Sequence, residues 1–180
     1  LPGTLAETSM TKFIKSTHWP AHAQKVLAEL DDIPLQLKRA ESAQLQYLLT
    51  GDQSYRVTYQ TAASGVEKEL DEVRQLTTDN PVQQDRVTTL ATLTKQRLVS
   101  LQEAITTQDR EGADDALDTL VTSSNIATPE DILKVVEDME TEEQQLLTQH
   151  EEVAAKNARS MRRLTVAART LAFGFVGLAG

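Results

Sequence analysis

Apolar residues recur at spacings of three and four along four long stretches of this chain, the pattern of helices that each bury one stripe. The first stretch, about Leu5 to Thr50, places Val26, Leu30, Ile33, Leu37, Ala40, Gln44, Tyr47 and Leu48 on its stripe. Pro20 and Pro34 lie inside it; each removes a backbone donor, which predicts one bent helix rather than two domains. The second stretch, Gln53 to about Thr77, carries Tyr55, Tyr59, Ala62, Val66, Leu70 and Val73. The third, Pro81 to about Arg110, carries Val87, Leu90, Leu93, Arg97, Leu101, Ala104 and Ile105. A shorter helix, roughly Gly112 to Ser123, bridges to a fourth long one that carries Ile132, Val136, Met139, Glu143, Leu146, His150 and Val153. The two-residue alternation of a half-buried strand is absent throughout.

The boundaries between these stretches have a local cause. Gly51 takes the left-handed conformation that closes a helix, and Asp52 caps the next one. Asn80 is a good N-cap, Pro81 suits the first helical position, and Gln83 completes a capping box. Thr128-Pro129-Glu130-Asp131 is a further start signal with acids in the first turn. Connections as short as Gly51-Asp52 and Thr78-Asp79-Asn80 make successive helices antiparallel neighbours. The predicted fold is all-α: an antiparallel up-down-up-down four-helix bundle with long first and last helices.

Composition narrows the function. At 180 residues the chain fits one domain, and a net charge of −9 gives a surface that repels phosphate backbones, so nucleic acid is not an expected partner. Without Cys there is no disulfide or thiolate metal site. The sequence offers no nucleophile-base pair, metal set or phosphate loop, so neither catalysis nor a cofactor is expected of it. Glu142 and Glu143, being adjacent, point about 100° apart on a helix and share no substrate. His18 and His22 are four apart and reach one helix face, as metal ligands do; the alternative is a juxtamembrane cluster around Trp19. Arg97 and Glu143 fall on apolar stripes, with Glu41 beside another. They form either a buried polar network that fixes helix register or charges that snorkel to the boundary. Tyr47, Tyr55 and Tyr59 gather at the Gly51 corner, where they either line a ligand pocket or pack. The acidic run Asp109 to Asp118 reads as a solvated turn.

Several motifs, in order and spacing, resemble a known family. E-S-A-Q-L-Q-Y-L-L-T-G-D-x-x-Y (Glu41 to Tyr55) and L-T-T-D-N-P-V-Q-Q-D-R (Leu76 to Arg86) are similar to two helix corners of the third family of cyclase/histidine-kinase-associated sensory extracellular (CHASE) domains. E-E-Q-Q-L-L (Glu142 to Leu147) and W-P-A-H (Trp19 to His22) add a last-helix and a first-helix element. The resemblance spans about Trp19 to Arg163. Leu45 and Gln46 stand where the family has Arg-Gly, and Ser123 to Thr128 lacks its small-residue pattern. The resemblance implies a sensory input domain between two transmembrane helices, on the extracytoplasmic (periplasmic) side of a bacterial cell membrane. The output would be a histidine kinase first, with a diguanylate cyclase, adenylate cyclase or chemoreceptor as alternatives. The expected partners are the bilayer and a second copy; the resemblance names no ligand. His150 then reads as a boundary histidine, not the phosphorylated histidine of a kinase.

The division expected on this basis is a juxtamembrane helix start over 1–18, the sensor domain over 19–163, and a truncated transmembrane helix from 164 to 180. The run LAFGFVGLAG, Leu171 to Gly180, is uncharged and spans about 15 Å as helix, roughly half a bilayer core. One feature opposes this orientation. Lys156, Arg159, Arg162, Arg163 and Arg169 precede the tail, a flank that the positive-inside rule assigns to the cytoplasm. A tail-anchored interaction bundle without a sensing role is the alternative from a different class.

Overall fold

The computed structural model describes residues 3–123 and 126–176, with side chains over 19–123, 126–156 and 158–159. The regular elements among them are all helices, with no strand among the described residues. The elements are α1 (Gly3–Thr50), α2 (Gln53–Leu76), α3 (Pro81–Arg110), α4 (Ala113–Ser123) and α5 (Pro129–Val176). The predicted boundaries agree to within about two residues, and α1 is one helix through Pro20 and Pro34.

The ends follow the local chemistry. Gly51 has φ +69°, and its N–H donates to the Tyr47 carbonyl at 2.8 Å, closing α1. The Asp52 carboxylate accepts from the Ser54 N–H at 2.9 Å and caps α2; that bond holds the exposed Asp52 carboxyl below the usual carboxylate range. At α5 the capping box is reciprocal. The Asp131 N–H donates to Thr128 Oγ1 at 3.2 Å, and the Thr128 N–H donates to Asp131 Oδ2 at 3.1 Å.

At α3 the capping reading needs correction. Asn80 Oδ1 accepts from the N–H groups of Val82 and Gln83, as an N-cap should. Gln83, however, does not return to Asn80, whose N–H donates to the Thr77 carbonyl at 2.9 Å. The Gln83 side chain is fully buried and points into the protein.

The chain falls into two compact units. One is Gln24–Glu143; the other comprises the described residues of Leu1–Ala23 and Gln144–Gly180. Within Gln24–Glu143 there are two apolar clusters. In the first, Val26, Leu30, Ile33 and Leu37 of α1 meet Val66, Leu70 and Val73 of α2, Val87 and Leu90 of α3, and Ile132, Val136 and Met139 of α5. In the second, Ala40, Ala43, Tyr47 and Leu48 of α1 pack with Tyr59 and Ala62 of α2, Leu101, Ala104 and Ile105 of α3, and Ala116 of α4. The short helix therefore supplies core where α5 has not yet begun, which its reading as a bridge did not foresee.

The stripe on α5 loses burial past Glu143: Leu146 is half-buried and Val153 is 55% exposed. Among the described residues no helix is long and apolar enough to cross a membrane. The side chains of the expected tail, Leu171 to Gly180, lie outside the described residues.

Candidate functional site

The charged residues expected on apolar stripes do enter the protein, in two places rather than one. Arg97 Nε donates to Glu41 Oε1 at 2.7 Å, joining α3 to α1 with both side chains mostly buried. Glu143 lies elsewhere. It is 3% exposed, and its Oε1 accepts from Gln83 Nε2 at 3.0 Å. The same Gln83 amide nitrogen donates to the Met139 carbonyl at 3.0 Å, so one side chain of α3 holds both a carboxylate and a main-chain group of α5. Gln83 and Arg97 are fourteen positions apart on one helix, about 21 Å along its axis. A single Glu-Arg-Glu arrangement is thus replaced by an α1–α3 ion pair and an α3–α5 amide–carboxylate contact. Arg86 of α3 adds an outer ion pair to Glu142 at 3.5 Å.

The three tyrosines also separate. Tyr47 is buried, and its hydroxyl donates to Asp109 Oδ1 while accepting from Gln53 Nε2 at 3.3 Å. The other Asp109 oxygen is held by Arg56 Nη1 at 2.7 Å, and the Arg56 guanidinium carbon lies 5.9 Å from the Tyr47 ring centre. Tyr59 is buried and donates to the Leu98 carbonyl at 3.0 Å; burial pushes its hydroxyl up to about 12. Tyr55 borders a groove of about 460 Å³ along α1 and α2, whereas Tyr59 borders a different one of about 620 Å³ between α2 and α3. Neither of these two grooves is lined by all three tyrosines. Tyr47 and Tyr59 are spent on tying the corner to α3. Asp109, read from sequence as part of a solvated run, is the centre of that tie.

In the other unit, Trp19 makes ring contacts with His22 at 5.6 Å and with His150 at 4.2 Å between centroids. These contacts gather Trp19 and His22 of α1 with His150 of α5. The side chain of His18 lies outside the described residues. Among the described residues no group of three His, Cys, Asp or Glu is placed to hold a metal ion.

What this arrangement supplies is polar contact between helices. The cross-helix ties run through α1–α3 (Glu41–Arg97), α3–α5 (Gln83–Glu143) and the Gly51 corner (Tyr47–Asp109–Arg56). Each fixes the rotation and height of one helix against another, because a buried polar group has few registers in which it stays bonded.

Comparison with known proteins agrees with the motifs. No curated protein matches the chain. Among solved structures, it is similar to the sensor domain of the histidine kinase HK9 of Rhodopseudomonas palustris, with 29% identity and a TM-score of 0.67, covering 70% of this chain and 98% of that one. The CHASE3 domain profile matches residues 16–153. With more than half of its length matched, and with the helix corners and buried ties falling inside the matched span, the chain belongs to the CHASE3 family.

Proposed function

We propose that this chain is the extracytoplasmic sensory input domain of a bacterial transmembrane signalling protein whose output module is a histidine kinase. The carrying observation is the CHASE3 match over residues 16–153, together with likeness to a histidine kinase sensor domain. The domain has no reaction chemistry of its own. It is proposed as an up-down-up-down bundle, supported by the short corners and by pairs such as Lys25–Glu72, Glu41–Arg97 and Gln83–Glu143. A stimulus biases two packings of that bundle, and α1 and α5 carry the shift into flanking transmembrane helices. The full receptor works as a dimer. Glu41, Arg97 and Glu143 are the proposed coupling residues, since a helix that moves must break or re-form such ties.

The basic flank from Lys156 to Arg169 favours the second reading, a tail-anchored bundle facing the cytoplasm. The absence of cysteine from the chain allows the two to be told apart. Asp79→Cys, at an exposed turn, is placed in the native full-length protein with any cysteine outside this chain replaced. A membrane-impermeant maleimide labels it in intact cells if the domain faces outward. Labelling only after lysis sinks the extracytoplasmic placement and leaves the tail-anchored one.

A further inference from the structure

Helix α1 brings Glu29 toward Glu69 of α2. Glu69 is 7% exposed; its Oε1 accepts from Lys68 Nζ at 3.3 Å, whereas Oε2 is shut off from solvent with no nitrogen or hydroxyl donor on it. The Glu29 carboxyl lies within hydrogen-bonding reach of Glu69. Two ionised carboxylates have no hydrogen to share, but one proton between them supplies the donor that the Glu69 carboxylate lacks.

The surrounding charges do not remove that need. Lys25 of α1 is committed to Glu72 of α2 at 3.3 Å, and Glu72 itself adds negative charge beside Glu29. Lys68 reaches Glu69 from α2 but leaves Oε2 uncovered.

We propose that the Glu29–Glu69 pair is a proton-binding site through which acidity sets how firmly α1 is held against α2. One shared proton closes the pair; its loss leaves like charges facing across the helix interface. Taken with the sensor reading, on which this last step rests, external acidity becomes a stimulus that the chain registers.

The electrostatics run the same way. Hydrogen bonding to Glu69, then burial, then the Glu69 charge push the Glu29 carboxyl from 4.5 up to about 7. The bond from Glu29 holds Glu69 below the usual carboxylate range. The folded chain therefore keeps a proton on Glu29 that the unfolded chain releases between pH 4.5 and about 7. That contribution is full below the lower value and is lost as pH rises through the upper one. Glu69 acts oppositely, losing its contribution as the medium becomes strongly acid, so the contact is firmest in mild acid.

The test uses the whole 180-residue chain and protons as the probe. Thermal unfolding is followed at about pH 5.5 and about pH 8 for the wild type and Glu29→Gln, whose amide donates at either pH. The wild-type Tm is expected to fall by roughly 3–6 °C across the interval, while the variant keeps most of its acid value. Carboxyl carbon NMR of the folded wild type is expected to give Glu29 a midpoint near neutrality. An ordinary carboxylate midpoint for Glu29, or the same pH slope in both proteins, overturns the proposal. Both readouts use the purified chain, so they are decided separately from cysteine labelling, which decides which side of the membrane the chain faces.

Discussion

Replacing Gln83 by Leu destabilises this chain by about 2–4 kcal/mol, far more than a substitution near a helix start usually costs. The change removes the Gln83 amide donor from Glu143 Oε1 and from the Met139 carbonyl at once. Glu143 is 3% exposed, so water cannot replace that donor without opening the α3–α5 contact. For a chain of this length the loss lowers Tm by roughly 5–15 °C. The second half of the experiment separates a lost polar tie from a lost shape. Adding Glu143→Leu to Gln83→Leu removes the buried carboxylate that has lost the Gln83 amide. The double variant is therefore expected to melt above the Gln83→Leu variant. Simple additivity of the two single losses in urea unfolding would show that the two side chains are not coupled.

The second large effect lies in the apolar core. Leu30 is fully buried in the cluster shared by α1, α2, α3 and α5. Leu30→Ala removes three carbons from a site walled by four helices, which cannot all close in around the space. The expected cost is about 2–5 kcal/mol, read as a lower midpoint in urea at an unchanged slope. A cost under about 1 kcal/mol would mean that these helices adjust freely here, which would contradict a core made by all four. Leu35, on the same helix and 61% exposed, is the control; Leu35→Ala is expected within about 0.5 kcal/mol of wild type.

The reach of the sequence was set by the range of each interaction. Helix ends were legible because their causes are local: Gly51 and Asp52, Asn80 and Pro81, Thr128 and Asp131 act within four residues. Stripes were legible because period alone selects a face, and Arg97 stood out as a charge on one. Partners were not legible. Nothing in a helical period says that Tyr47 will find Asp109, sixty-two positions later, or that Glu143 will be met by Gln83. Gln83 was misread for a physical reason: a Gln three residues after an N-cap satisfies the capping-box pattern whether its side chain turns back or inward. Glu29 and Glu69 escaped notice because each sits among other charges on an apparently solvated face, and only the folded chain sets them opposite each other.

The central claim is that buried polar ties convert helix position into signal. It is tested most directly by exchanging this chain for the sensor domain of a membrane histidine kinase and comparing autophosphorylation with and without Glu143→Leu. Glu143 is the proposed coupling residue whose tie joins α3 to α5, and an apolar side chain there removes the need to choose between bonded registers. The account predicts that the substitution fixes kinase output at one extreme while the helical fold is kept. Equal output from the two chimeras, with equal melting temperatures of the two isolated chains, would contradict it.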